Sequence, residues 1–379
     1  MPRKGSRAAP ARSLAVLPIA ALGLALVVAA CTSAPPVAAD PSPIATREAG
    51  TITVAALLDL SGNRAPKGDA QRNAMQQWAD AQRGTPRVKL RIVDVAGSDA
   101  KLLLELKRAA EAGDTDAVII AVPAILDDAL SRAVGLLGRP VLFTLPVADP
   151  VTVGEGGRWM FGLAPSPDAL ARLAVDSLPS RATPAIVVTS GTLVAGRDEL
   201  AITSVFRAQE RPMPFVMSAA PDQRDDFTQR LRTIARTGSA VFFTGAAFDY
   251  LPLVRLIPSD AAGGPSVFLS YLTDANDAGR LGDVSPAVRW PALRRAIGSA
   301  LGSQALSATD ALALLATTGD APYDPERSRT SIEDGTFAGM AATYSFTRSR
   351  HTGVDRTDIA LAAWESGRIV AAQPIGVTR

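Results

Sequence analysis

Short apolar runs alternate with amphipathic segments along residues 51–274, and this alternation constrains the fold more than any other feature of the chain. The first cycle is TITVAALL (51–58), followed by Ala70, Ala74 and Trp78 at four-residue spacing. The apolar run is typical of a buried strand, and the spaced residues form one face of a helix. Repeated units of this kind predict an α/β fold, with parallel sheets covered by helices on both faces.

The cycle restarts beyond Pro165. AIVVTS (185–190), AVFFTG (240–245) and SVFLS (266–270) are strand-like, and helical segments separate them. Two successive series predict two Rossmann-like lobes joined by a hinge, with a cleft between them. Ligands in such sheets bind beyond the carboxyl ends of the strands, so we expect function in the loops at that edge.

The last third of the chain is less regular. Helical patterns cover residues 291–301 and 305–316, and strand-like patterns follow in AATYSF (341–346) and DIALAAW (358–364). The predicted lobes are therefore discontinuous: residues 51–163 plus about 275–336 for lobe 1, and 164–274 plus about 337–379 for lobe 2.

The N-terminus has the layout of an export signal. Residues 1–13 are basic, and an apolar run extends from Leu14 to Ala30. The run ends in VAAC, which resembles the bacterial lipobox, where the cysteine thiol is acylated after cleavage. Residues 1–30 are therefore predicted to be a lipoprotein signal peptide, and Cys31, the only cysteine, to carry the lipid anchor.

Residues 31–50 are rich in Pro, Ala and Ser and have no apolar period, as expected for a flexible tether. No second apolar run of membrane-spanning length follows the signal. The predicted location is outside the cytoplasm, with the folded body held at the cell membrane by the lipid on Cys31.

Composition argues against several functions. The formal net charge is +2, from 39 basic and 37 acidic residues, so no nucleic-acid partner is expected. One cysteine and one histidine, His351, are too few for an ordinary zinc site. Serine-nucleophile, phosphate-binding and dinucleotide motifs are absent, so neither catalysis nor a cofactor is expected. We interpret His351 as a loop histidine in solvent, and Asp127 and Asp128 as charges at a helix N-terminus.

Three segments carry the pattern of a known family. Residues 57–80, LLDLSGNRAPKGDAQRNAMQQWAD, contain a strand, a Ser-Gly turn, a second glycine and a long helix. Residues 90–122 contain a strand ending in Asp, a helix and another strand, and residues 158–174, RWMFGLAPSPDALARLA, form a crossover. These segments resemble type I periplasmic binding proteins, especially the branched-chain amino acid (Leu/Ile/Val) substrate-binding components of ABC transporters.

The resemblance implies a lipoprotein that closes two lobes around a small molecule and delivers it to an ABC permease, with energy from a partner ATPase. The alternative is a non-transport lipoprotein on the same fold, such as a sensor or an activator of a cell-wall enzyme, with a degenerate cleft. A polar, open cleft favours transport, and an apolar, closed cleft favours the alternative.

The resemblance also marks positions where the family binds amino acids. Ala124 and Ile125 follow the third strand, and Ala148 follows the fourth, where hydroxyls would hold the ligand. Ala195 stands at the position of a tyrosine in the second lobe, and Lys67 at that of an aromatic residue near the opening turn. Since these groups are missing, an ordinary amino acid is not the expected ligand.

Other residues could take over ligand binding. Asp249, Ser270 and Tyr271 follow strands of the second lobe. Lys67 either contacts an anionic ligand or is an exposed turn lysine. Tyr271 either contacts the ligand or packs at the lobe interface.

Overall fold

A computed structural model describes residues 50–83, 87–218, 229, 238–255, 257, 265–281, 288–319 and 323–373. The predicted signal peptide, Cys31 and all of the predicted tether except Gly50 lie outside these residues. Residues Arg47–Arg379 form one compact unit. Within it, the α/β class and the parallel sheets predicted from the alternating pattern are confirmed.

The first sheet defines lobe 1. It has five parallel strands in the order β2-β1-β3-β4-β5. The strands are β1 (Thr51–Leu58), β2 (Arg87–Asp94), β3 (Ala117–Ile120), β4 (Val141–Phe143) and β5 (Met160–Gly162). β1 and β3 are apolar and largely buried because helices cover both faces of a parallel sheet.

Helices cover both faces of this sheet. They are α1 (Ala65–Ala81), α2 (Asp99–Ala112) and α3 (Asp128–Leu137), with α8 (Gly302–Thr318) and α9 (Pro325–Glu333) from later in the chain. Met75 of α1 and Leu312 of α8 share one core cluster, and Leu106 of α2 and Val134 of α3 belong to another. Asp127 caps α3 by accepting a hydrogen bond from the Leu130 amide at 2.8 Å, which confirms its interpretation as a helix N-terminal charge.

The second sheet defines lobe 2. It has seven strands in the order β14-β13-β10-β9-β8-β6-β7. The strands are β6 (Ala185–Thr189), β7 (Phe215–Ser218), β8 (Ala240–Phe243), β9 (Ser266–Phe268), β10 (Val288–Leu293), β13 (Ile359–Glu365) and β14 (Arg368–Ala371). β6 to β10 are parallel, whereas β13 and β14 pair in antiparallel fashion at one edge.

Helices also pack on both faces of the second sheet. α4 (Pro167–Asp176) and α5 (Leu193–Ala208) contribute to one core cluster, and α6 (Ala247–Val254) and α7 (Ala275–Leu281) to the other. Ser166 caps α4 and Thr192 caps α5, each through its side-chain oxygen. The sequence cycle after Pro165 therefore builds a second layered domain of the same kind as the first.

The segment after α7 differs from the sequence-based expectation. Residues 291–301 were predicted to be helical and residues 275–336 to belong to lobe 1, but 291–293 end β10 in the second sheet. Pro291, which has no amide hydrogen, is tolerated there because the ladder with β9 ends at the pair Arg289 and Phe268. The chain returns to lobe 1 only at α8, which packs on α1.

The short hairpin of β11 (Thr336–Ala338) and β12 (Thr343–Ser345) lies against lobe 1. Tyr344 belongs to the core cluster of lobe 1, although residues 337–379 were expected in lobe 2. Buried Asp310 of α8 explains this placement, since its carboxylate accepts hydrogen bonds from Met340 N (2.7 Å), Ala341 N (2.8 Å) and the Tyr344 hydroxyl (2.9 Å). Burial raises the pKa of Asp310.

His351 lies at a crossing between the lobes, and its interpretation as a solvent-exposed loop residue is wrong. The residue is 1% exposed, and its ring stacks on Phe161 with centroids 4.5 Å apart. The Gly162 amide donates to its carbonyl at 2.8 Å, so the backbone runs beside the end of β5. Its ring Nδ1 lies 3.0 Å from the Gly157 carbonyl oxygen and 2.9 Å from that of Met160. Sequence polarity around His351 gave no sign of this burial.

Candidate functional site

A cavity of about 240 Å³ lies between the lobes, beyond the carboxyl ends of their strands. Loops after β1, β2 and β3 line it from lobe 1, and loops after β6, β8 and β9 line it from lobe 2. This is the edge where the strand order predicts a ligand site. We call it the cleft cavity; its polar side chains are Asp59, Arg64, Ser98, Asp99 and Thr192.

An ion pair stands at the lobe 1 side of the cleft cavity. Asp59 comes directly after β1 and is 3% exposed. One carboxylate oxygen accepts a hydrogen bond from the Gly97 amide at 2.7 Å, and the other lies 2.8 Å from Arg64 Nε. The carboxylate thus fixes both the β2–α2 loop and the Arg64 side chain, so that a basic group is held at the cavity wall.

Asp94, the last residue of β2, organises the same loops. Its Oδ1 accepts hydrogen bonds from the amides of Leu60 and Ala96, both at 2.9 Å. Burial works to raise the pKa of this carboxyl, but the hydrogen bonds from Leu60, Ser61 and Ala96 outweigh it and lower the pKa. The loops that line the cavity are therefore tied to a charged carboxylate at neutral pH.

Two helix N-termini face the cleft cavity from opposite lobes. Ser98 caps α2 by accepting from the Lys101 amide at 3.3 Å, and Thr192 caps α5 by accepting from the Ala195 amide at 3.2 Å. Both caps line the cavity. Helix N-termini carry partial positive charge. Among the lining side chains, Asp59 balances the charge of Arg64, and Asp99 adds a negative charge. The remaining lining is mostly apolar and includes Leu102 and Ile125.

Four of the five positions where the family pattern predicts ligand contacts have different environments. Ile125 lines the cleft cavity, whereas Ala124 is buried in the core of lobe 1. Ala148 is exposed and does not belong to the cavity lining. Ala195 is fully buried in the first turn of α5, where a Cβ added at Gly245 would lie 2.9 Å from its own Cβ. Gly245, which has no side chain, therefore accommodates the Ala195 methyl group.

Lys67 lies in the first turns of α1, and its interpretation as an exposed turn residue is wrong. Its side chain is 14% exposed, and its ammonium group lies 2.5 Å from the Asp277 carboxylate of α7. It also donates to the carbonyl of Leu272. Burial raises the pKa of Asp277, and the positive charge of Lys67 opposes this effect. Lys67 therefore connects lobe 1 to lobe 2.

Ser270 and Tyr271 follow β9 and have mainly structural contacts. The Ser270 hydroxyl donates to the Gly245 carbonyl at 2.6 Å. Tyr271 is 4% exposed and belongs to the core cluster of lobe 1, and this burial raises its pKa. Both line a second, largely apolar cavity of only about 50 Å³. The side chain of Asp249, in α6, lies outside the described residues.

Sequence reasoning did not identify Asp59, Arg64, Ser98, Thr192 or Arg197. The position of Asp59 and Thr192 could have identified them as site candidates, because each lies within three residues of a predicted strand end. Arg197 lies in the second turn of α5, and its guanidinium donates to the carbonyls of Pro146 and Ala124 in lobe 1. No local sequence pattern predicts such a contact between the lobes.

The described residues contain no group of three or more His, Cys, Asp or Glu that could hold a metal ion. Within the same residues, no helix is both long enough and apolar enough to cross a bilayer.

No protein-family model matches the sequence, and no curated protein is significantly similar to it. Solved structures do match. An extracellular ligand-binding receptor from Rhodopseudomonas palustris has a TM-score of 0.72 at 13% identity, over 86% of this chain and 100% of that one. A type 1 periplasmic binding protein from Bordetella pertussis has a TM-score of 0.68 at 15% identity, over 86% and 100%.

A third match is the branched-chain amino acid transporter substrate-binding protein of Streptococcus pneumoniae, solved in complex with isoleucine. Its TM-score is 0.68 at 14% identity, over 86% of this chain and 99% of that one. These matches show the fold: the chain has the two-lobed architecture of type I periplasmic binding proteins, as the resemblance predicted. The matched proteins are described as receptors and binding proteins.

Proposed function

We propose that this protein is an extracytoplasmic solute-binding lipoprotein that captures a small molecule in the cleft cavity and delivers it to an ABC permease. The observation that carries the proposal is the cleft cavity itself, which both lobes line at the carboxyl ends of their strands. A cavity that two lobes line in this way can bind a solute when a hinge motion closes the lobes around it. The anchor would be the lipid on Cys31, and transport energy would come from a partner ATPase.

The lining supports a ligand with one anionic or hydrogen-bond-accepting end and an apolar body. The N-termini of α2 and α5 provide positive potential, Arg64 adds a cation that is paired with Asp59, and Leu102 and Ile125 provide apolar surface. One match binds isoleucine, but here Ala124 and Ala148 offer no hydroxyls for an amino acid. We therefore favour a carboxylate without an α-ammonium group over an amino acid.

The alternative remains a non-transport lipoprotein, a sensor or an activator of a cell-wall enzyme. The size of the cleft cavity favours it, because about 240 Å³ is below the usual range for ligand pockets, about 300 to 1,000 Å³. The charged groups Asp59 and Arg64 at the cavity favour solute binding.

The test is a thermal-shift and calorimetric screen of residues 32–379 against aliphatic and aromatic carboxylates, amino acids, amines and sugars. A carboxylate present at 100 times its dissociation constant should stabilise the fold by about 2.7 kcal/mol. The variant Arg64→Gln should weaken its binding at least tenfold, whereas Arg172→Gln, an exposed arginine on α4, should not. If the well-folded protein shows neither a thermal shift nor a binding heat with any compound of the panel, solute capture is contradicted.

The anchor requires its own experiment on the full chain in a bacterial host. Cells grown with a radiolabelled fatty acid should label the wild-type protein at the membrane. The variant Cys31→Ser should lose the label, since the acyl chain needs the thiol. Equal labelling of both proteins would contradict anchoring at Cys31.

A further inference from the structure

Two basic side chains, one from each lobe, reach across the cleft and bind the opposite lobe. We propose that Lys67 and Arg197 form a latch that closes the two lobes in the absence of any solute. The proposal concerns the conformation of the lobes and does not depend on which solute the cleft cavity takes.

The first contact runs from lobe 1 to lobe 2. Lys67 of α1 pairs with Asp277 of α7, at 2.5 Å between the ammonium nitrogen and the nearer carboxylate oxygen. It also donates to the Leu272 carbonyl, which accepts a second hydrogen bond from Gln304 Nε2 of α8 at 3.1 Å. The side chains of Lys67 and Asp277 are 14% and 7% exposed. The ion pair is thus largely shielded from water in this arrangement, so salt and solvent screen its attraction less than that of an exposed pair.

The second contact runs from lobe 2 to lobe 1. The guanidinium of Arg197, on α5, donates to the Pro146 carbonyl at 2.6 Å and lies 3.4 Å from the Ala124 carbonyl. These carbonyls belong to the loops after β4 and β3. Asp198 holds the other side of the guanidinium, with Nε at 3.0 Å and a terminal nitrogen at 2.7 Å. Because Arg197 is oriented by its neighbour before it crosses the cleft, little side-chain freedom is lost on closure.

The two contacts enclose the cleft cavity rather than fill it. Leu272, whose carbonyl binds Lys67, lines the cavity, and Ala124, whose carbonyl binds Arg197, lies between the lining residues Pro123 and Ile125. A rigid rotation that opens the lobes must separate both pairs at once. Each cation therefore contacts both lobes at once, as a bound solute does in a protein that closes on its ligand. The proposed latch holds the lobes closed through these contacts alone.

Distance measurements between the lobes test the latch without any ligand. The body, residues 32–379, lacks Cys31, so Lys107→Cys on α2 and Leu200→Cys on α5 provide unique spin-label sites. Both positions are exposed, at 68% and 65%. Pulsed electron paramagnetic resonance should give a single short-distance population for the otherwise unchanged protein. Adding Lys67→Met and Arg197→Gln should create a longer-distance population that holds at least half of the molecules.

Controls separate a latch from general damage. The pair Lys89→Met and Arg207→Gln removes one exposed lysine and one exposed arginine, and should leave the distances unchanged. A variant that carries both Lys67→Asp and Asp277→Lys exchanges the two charges and keeps Arg197. If charge attraction closes the lobes, this variant should show the short-distance population of the unchanged protein. Circular dichroism confirms that each variant is folded. A broad or long distribution in the unchanged protein, or the same distribution after loss of both cations, would overturn the proposal.

Discussion

At the scale of single residues, the Asp94 carboxylate links pH to the stability of the cavity loops. Its pKa is lower than that of an ordinary aspartate, because hydrogen bonds from Leu60, Ser61 and Ala96 outweigh the effect of burial. A carboxyl with a lowered pKa in the folded state stabilises the fold above its unfolded pKa of about 3.9. That stability is lost as the pH falls through the lower, folded value.

The variant Asp94→Asn should therefore lose about 0.5 kcal/mol of stability at pH 7, since neutral acceptors form weaker hydrogen bonds than charged ones and solvent screens the exposed Asp94 carboxylate. The difference from the wild type should shrink below about pH 4 and vanish once Asp94 is protonated in both states. Urea unfolding at several pH values measures it. Asp80→Asn, an exposed position on α1, serves as the control and should show little effect at any pH. A difference that persists at pH 2 would refute the linkage.

Single residues also show where sequence reasoning stops. The predicted helix N-terminal role of Asp127 needs only the next few residues, and it is confirmed. The environments of Lys67 and His351 depend on partners far along the chain: Asp277 for Lys67, and Gly157 and Met160 for His351. Local polarity predicted exposure for His351 and gave exposure as one of two alternatives for Lys67, and tertiary contacts buried both residues.

At the scale of elements, α1 meets the end of β1 at a glycine. A Cβ at Gly68 would lie 1.9 Å from the Asp59 carbonyl oxygen, so only glycine permits this approach. The same loop carries the Asp59 side chain to the cleft cavity. The second glycine of the family pattern thus has a physical role in placing a lining residue.

The variant Gly68→Ala should destabilise the protein by about 1 to 3 kcal/mol, the usual range for overpacking in a core. It should also weaken solute binding, because α1 can relieve the clash only by displacing the Asp59 loop. Gly196→Ala is a matched control: it lies in α5 with nothing within 4 Å of an added Cβ and should stabilise by about 0.5 to 1 kcal/mol. Calorimetry measures both, and equal effects at the two glycines would disprove the argument.

Periodicity predicted most elements correctly, because strand and helix patterns are local. It failed at residues 291–293, where pairing with β9 and β13 determines the strand conformation of β10 and the local sequence pattern does not. Pro291 argues against a central strand on its own, and only the early end of β9 makes the position permissible. The hairpin of β11 and β12 packs on lobe 1 for another non-local reason, since Asp310 of α8 binds its backbone.

At the scale of the whole molecule, the two-lobed fold follows from the repeated β/α cycle, but the cleft does not. Its cavity and the contacts of Lys67 and Arg197 depend on how the lobes meet. The lobes also share a core, since Tyr271 follows β9 in lobe 2 and packs in the cluster that contains Leu312 of α8. A lobe that inserts an aromatic side chain into its neighbour cannot unfold without exposing apolar surface on both.

The body should therefore unfold in one calorimetric transition, although chains with two lobes often show two. Tyr271→Ala should cost about 3 to 5 kcal/mol, as for other buried aromatic residues. It should broaden the transition, because it weakens packing that Leu170, Leu293 and Ile359 of lobe 2 also share with lobe 1. Phe206→Ala, a fully buried aromatic within lobe 2, should cost a similar amount but leave the transition as sharp as in the wild type. Two transitions in the wild type, or an equally sharp transition in Tyr271→Ala, would show that Tyr271 does not couple the lobes.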